Sequence, residues 1–133
     1  MKTSKKIKVL KNKLDKMWSK AVLKKGACEY CGRTSETNQL HAHHVFGRVN
    51  KATRWHFDNG ICLCASHHTR NSGFSAHLTP AEFMEWIREH RGEEWYQELN
   101  QRRLSIYKVN LGNLETTKEE LEQIMLDMET KKT

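Results

Sequence analysis

The chain has 133 residues, 29% of them charged, with a mean hydropathy of −0.83 and a net charge of +7. That size admits one compact domain with an extension, and no run of about 18 apolar residues is present to span a membrane. The basic N-terminus lacks the apolar block of a signal peptide, so a reducing, cytoplasmic compartment is expected, in which the four cysteines point to metal rather than to disulfides.

The charge is uneven. Residues 1–25 contain ten lysines and one aspartate, a net +9, which leaves the rest of the chain at −2. Ile7, Leu10, Leu14, Met17 and Trp18 recur at helical spacing among those lysines and predict an amphipathic helix over residues 5–24, ended by Gly26. The apolar stripe is expected against the body. The lysines, Lys5, Lys6 and Lys13 among them, then face outward, where they suit phosphate contacts and counterion release on nucleic acid. Three parts are expected: a basic helical arm at 1–26, a metal-stapled core at 27–92 and a helical extension at 93–133.

The core opens with a short knuckle over 27–38 that holds Cys28-Glu29-Tyr30-Cys31. Residues 39–46 are expected as a strand carrying His41, His43 and His44. The loop over 47–53 is basic, and Arg48, Lys51 and the following Arg54 are candidates to hold DNA phosphates, the arginines in bidentate fashion. Asp58-Asn59-Gly60 is a turn signal, and 61–64 is a short apolar strand. A helix beginning near Cys64 carries His67 and His68, and a loop over 71–76 leads to His77.

Two ligand pairs emerge from this run. Cys28-x2-Cys31 and Cys64-x2-His67 each let two side chains turn back on one ion, and three thiolates with an imidazole suit a closed, tetrahedral structural zinc. Cys62, between Ile61 and Leu63, is expected to be a buried thiol outside that set. The remaining histidines form a second constellation. His43 and His44 are neighbours on a strand and point to opposite sides, so one can take a metal while the other faces a substrate water. His68 diverges by about 100° from His67 on a helix and can serve a second ion, on which His77 can close. Asn59 is placed to bind nearby backbone and fix a histidine ring. His41, His56 and His90 are expected to be surface or structural residues, with His41 the nearest to a function because it shares a strand face with His43.

Thr79-Pro80-Ala81-Glu82 predicts a helix start with a capping box, with Phe83, Trp86 and Ile87 inward. Another helix is expected over 93–103, with Trp95 and Leu99 inward. A last one should start at Thr116 or Thr117, with Leu121, Ile124, Met125 and Met128 lining one side as core or as a partner contact.

The set His43-His44, Asn59 and His68, between cysteine pairs, resembles the HNH nuclease motif over roughly residues 28–80. Thr53-Arg54-Trp55 before Asp58-Asn59, and His77 with Pro80, are similar to phage-encoded members, which implies the host cytoplasm. The resemblance implies an α+β chain with a ββα-metal (His-Me finger) core. It implies His43, His68 and His77 as ligands of one catalytic divalent ion, His44 as the general base, Asn59 as its orienting residue, and DNA phosphodiesters as substrate. Two departures stand out: His67 occupies a zinc position where Cys is commoner, and the spacing from His68 to His77 is long. Three imidazoles favour Mn, Ni or Zn over Mg. The rival expectation is a non-catalytic, zinc-stapled DNA-binding or recruitment module, the latter using the C-terminal helix to hold a protein partner.

Overall fold

The computed structural model describes residues 1–131. The first helix, α1 (Thr3–Leu23), buries Leu10, Leu14, Trp18, Ala21 and Val22 along one side, which is the three-to-four-residue spacing that gives a helix one apolar face. Lys5, Lys6 and Lys13 lie on its exposed side. After it the chain reverses at Gly26, whose φ of 75° is left-handed geometry that glycine adopts without strain.

Strand β1 (Leu40–His44) pairs antiparallel with β2 (Gly60–Cys64), in a register that sets His43 opposite Ile61 and His44 opposite Gly60. A short helix α2 (Lys51–Arg54) and a 3-10 turn (Phe57–Asn59) lie between them. A π-helical turn (Ser66–Arg70) follows β2, then α3 (Pro80–Arg91), α4 (Glu93–Leu104) and α5 (Leu111–Thr130). The architecture is α+β, a two-stranded sheet among helices.

Because side chains alternate across a sheet, the ribbon feeds two cores. Cys62 joins Leu10, Leu14, Trp18 and Val22 of α1 and Leu114 and Leu121 of α5 on one side. Ile61 and Leu63 join Phe83 and Ile87 of α3 on the other. Contact between α1 and β2 is so close that a Cβ on Gly60 would lie 2.3 Å from a Val22 methyl and 2.9 Å from the Trp18 ring. Only glycine lets the helix lie down there. The lysine-rich helix is thus a wall of the first core.

A polar clamp adds to this packing. Asp15 of α1 accepts from Arg54 Nε at 3.0 Å, Arg54 Nη2 at 2.7 Å and Trp55 Nε1 at 2.8 Å. Burial would raise the Asp15 carboxyl, but the Arg54 and Trp55 hydrogen bonds and the charges of Arg54 and Arg48 outweigh it and hold the carboxyl below its ordinary value. Arg54 is buried to 9% exposure, so Asp15→Ala strands a charge inside the protein. The expected cost is roughly 3 kcal/mol in a urea melt. A loss below about 1 kcal/mol would mark the pair as no better than a surface bridge.

Two helix starts differ from the sequence expectation. Helix α5 begins at Leu111, capped by Asn110, whose side chain accepts from the Asn113 amide. This asparagine cap lies six residues before Thr116, and the extra turn buries Leu114. At α3 the capping box does not form: the Thr79 hydroxyl turns back to donate to the Ser75 carbonyl at 2.9 Å and accept from its amide at 2.9 Å. Pro80 does occupy the first turn.

Candidate metal centres

Cys28, Cys31, Cys64 and His67 converge, their ligand atoms all within 4.8 Å of one another. Cys31 Sγ is 3.8 Å from Cys64 Sγ, which is 3.3 Å from His67 Nδ1. A tetrahedron with metal–sulfur bonds of about 2.3 Å has sulfur–sulfur edges of about 3.8 Å, so the donors fit a zinc-sized ion. The knuckle is shaped by Gly32 at φ 79° and by amide bonds from Cys28 to the Arg33 carbonyl and from Gly32 to the Cys28 carbonyl. Burial works against a thiolate at Cys64, but the His67 amide and the side chains of Cys31 and Arg33 outweigh it and lower that thiol. Cys62 stays outside the cluster, and burial pushes its thiol up to about 11.

The second convergence is His43, His68 and His77, again with ligand atoms within 4.8 Å. Ring centroids are 5.1, 5.2 and 4.7 Å apart, and the planes are inclined by 66–82°, so the three rings meet like propeller blades. His68 Nε2 and His77 Nε2 are 3.2 Å apart, within the range of about 3.0–3.4 Å for two ligands on one ion at about 2.1 Å. The long His68–His77 spacing is closed by the loop folding back: the Ala76 and His77 amides donate to the His67 and His68 carbonyls. Asn71 Oδ1 accepts from the Gly73 and Phe74 amides at the loop's bend.

His41 Nδ1 lies 2.8 Å from His68 Nδ1. With His68 Nε2 turned to the ion position, its Nδ1 is free to donate to His41, the outer partner that fixes a ligand ring and its tautomer. His41 lies on the His43 face, as strand alternation leads one to expect, and the structure adds its contact with His68. His41→Ala is expected to weaken nickel or cobalt binding by roughly 10–100-fold, read by titration calorimetry on the zinc-loaded protein, with partial recovery in His41→Gln. Unchanged affinity would remove His41 from the site.

His44 points the other way, as alternation requires. Its ring stacks on Trp18, centroids 3.8 Å apart and planes at 11°, and its Nε2 is 3.0 Å from the Arg54 carbonyl. A carbonyl only accepts, so Nε2 carries the hydrogen and Nδ1 keeps its lone pair. Asn59 is fully buried. Its amide donates to the Phe46 carbonyl at 2.9 Å and its oxygen accepts from the Phe46 amide at 2.8 Å, so it pins the backbone two residues past His44 rather than touching the ring. Asp15, Trp18, His43, His44, Arg48, His68 and His77 line one cleft of about 570 Å³.

Burial, then the neighbouring His68 and His77, lower His43 to about 3; burial, then His77 and His41, lower His68 to about 4. Both rings are therefore neutral near pH 7, the form in which an imidazole can bind a metal. Their folded values lie below the ordinary 6.5, so the unfolded chain binds more protons between that value and about 3 to 4, and stability falls as pH drops through this window. Protein with these histidines metal-free is expected to lose roughly 2 kcal/mol between pH 7 and pH 5 from His43, with a smaller share from the more exposed His68. A flat denaturation midpoint over that range would contradict the burial of these rings.

Among the phosphate candidates, Arg48 and Lys51 remain available, and the Arg48 side chain is 60% exposed although its Nη2 is 3.2 Å from Asp15. Arg54 does not fit the expectation: its fork is held by Asp15, because a guanidinium buried to this degree needs a counter-charge inside the protein. Asp15 and Trp18 escaped the sequence reading, since in a lysine-rich helix they look like a solvent-facing acid and one more stripe residue. Comparison with protein families, characterised proteins and solved structures finds no match. Among the described residues no helix is long and apolar enough to cross a membrane.

Proposed function

We propose that the chain is a metal-dependent DNA endonuclease with a ββα-metal core of the HNH kind, stapled by zinc at Cys28, Cys31, Cys64 and His67. One observation carries the reading: a three-imidazole cluster and a separately held histidine with a free Nδ1 line one cleft. A purely structural metal would not need a neutral imidazole held beside it in the same cleft.

In this reading His43, His68 and His77 hold a divalent ion that supplies charge to the scissile phosphate and the leaving oxygen. His44 Nδ1 takes the proton of the attacking water. The Arg54 carbonyl and the Trp18 face keep that ring from turning, and Asn59 fixes the backbone that follows it. Arg48 at the cleft and Lys51 in the short helix after it, with Lys5, Lys6 and Lys13 on the open side of α1, supply positive charge along the polyanion.

The test is plasmid cleavage by zinc-loaded protein with Mg, Mn, Ni or Zn added singly, beside His44→Ala. Nicked or linear DNA from the parent alone supports the nuclease. Retarded but uncut DNA with every ion would leave a zinc-stapled binding module.

A further inference from the structure

Three aliphatic side chains stand almost free of the protein: Val49 is 92% exposed, Ile106 96% and Leu104 67%. They come from two segments that the fold joins. Asn50 Nδ2 donates to the Arg103 carbonyl at 2.8 Å, and Arg102 Nε donates to the Ala52 carbonyl at 2.9 Å. Arg103 also lies over the Phe46 ring, 5.1 Å from its centroid. Val49 and Leu104 are thus chain neighbours of two residues that touch.

Both segments are held in place. Asn50 caps α2 by accepting from the Thr53 amide, the Ser105 hydroxyl donates to the Arg102 carbonyl, and Tyr107 is hydrogen-bonded to Thr117. The three side chains are therefore presented on fixed backbone, and burying them on a partner stabilises whatever they meet.

Charge identifies the partner. Residues 45–56 and 100–110 contain no aspartate or glutamate but include Arg48, Lys51, Arg103 and Lys108. The acid that meets Arg48 is Asp15 of α1, itself held by Arg54 and Trp55; the two prong-bearing segments bring cations and no carboxylate of their own, and a strip of that net charge favours a polyanion. Val49 is also the residue after Arg48, which lines the histidine cleft. Thymine methyls apart, the apolar surface of a regular duplex lies within the base stack, and apolar wedges such as Leu or Ile enter where a step opens at low cost.

We infer that Val49, Leu104 and Ile106 form a wedge for an unstacked base step, and that the substrate class is DNA with an interrupted helix, such as a bulge, mismatch or junction. This deepens the nuclease reading and rests on it for the word substrate, but the surface can be tested by binding alone.

The experiment uses zinc-loaded full-length His44→Ala protein, so that nothing is cut. Its binding to a paired duplex is compared with binding to the same duplex carrying a two-nucleotide bulge and a 2-aminopurine beside it. The expected result is roughly tenfold tighter binding of the bulged DNA with a rise in 2-aminopurine fluorescence. Both should be lost in the Val49→Ser, Leu104→Ser, Ile106→Ser variant while the salt-dependent affinity for paired duplex persists. The prongs are exposed, so serine at these places leaves the cores intact, and an unchanged melting curve verifies it. Equal binding of both DNAs, or a preference that survives the triple change, overturns the wedge. So does a self-associating parent that the triple change renders monomeric, because the patch is then a contact between copies. None of these outcomes depends on cleavage, so failure of the nuclease reading would be seen separately.

Discussion

Replacing Cys64 by serine is expected to empty the first metal centre and to abolish the cooperative unfolding of the region it joins. Cys64 is 1% exposed at the end of β2, 3.8 Å from Cys31 Sγ and 3.3 Å from His67 Nδ1. It therefore links the knuckle, the sheet and the π-helical turn that carries the second histidine site. Structural zinc contributes on the order of 10–16 kcal/mol in small zinc-dependent folds, against a net stability of about 5–15 kcal/mol for a whole domain. Losing that contribution with the ion matches the entire margin, so the outcome is unfolding rather than a shift of a few degrees. Around Cys28, Ile61, Leu63, Phe83 and Ile87 the second core is small and cannot make up the difference. Elemental analysis and a circular-dichroism melt check it: one zinc per chain and a sharp transition for the parent, less than stoichiometric zinc and no sharp transition for Cys64→Ser. Cys62→Ala is the control. It removes a buried sulfur from the α1 core and should cost roughly 1 kcal/mol, with zinc retained. Stoichiometric zinc and an unaltered melt in Cys64→Ser would show that this cluster does not staple the fold.

The Cys28/Cys31 and Cys64/His67 pairs, placed to hold a metal such as zinc, could be read from the chain because each spacing is local: two side chains three residues apart can turn toward one ion. The same holds for the apolar stripe of α1 and for Pro80 in the first turn of α3. What could not be read is whatever depends on where distant segments meet. Asp15 and Arg54 are 39 residues apart, and only the docking of α1 on β2, which Gly60 permits, turns an apparent phosphate contact into an internal clamp. That His41 shares a face with His43 follows from strand alternation, but its contact with His68 depends on where the turn after β2 brings that ring. Thr79 lost its cap because Ser75, fully buried beside it, competes for the hydroxyl. Asn59 was singled out for its amide, but its partner, the Phe46 backbone, emerges only when the β1 exit lies beside the turn before β2.

His44→Ala is expected to lower DNA cleavage by roughly 10²–10⁴-fold while leaving both metal centres filled. The argument begins with tautomer. The Arg54 carbonyl, 3.0 Å from Nε2, fixes the hydrogen there, in a bond that is lost if the ring flips, while the Trp18 stack at 3.8 Å holds the ring plane, so Nδ1 is the basic atom of His44. Protonation state comes next. Burial lowers the His44 pKa first, the Arg54 carbonyl opposes it, and the charges of Arg48 and Arg54 lower it against Asp15, with a net value below the ordinary 6.5. The neutral form that can accept a proton therefore predominates near pH 7, and cleavage should fall as pH drops below the ordinary histidine range. Alanine removes the base without touching His43, His68 or His77, so nickel or cobalt affinity by calorimetry stays at the parental level. Asn59→Ala makes the contrast: it frees the Phe46 backbone and should reduce cleavage together with stability, because two buried hydrogen bonds disappear. His43→Ala should instead lose the second ion and cleavage together. The parent must first cut DNA; given that, cleavage by His44→Ala at the parental rate, with both ions in place, would remove His44 from the chemistry. The three-imidazole cluster would then need a different base in the same cleft.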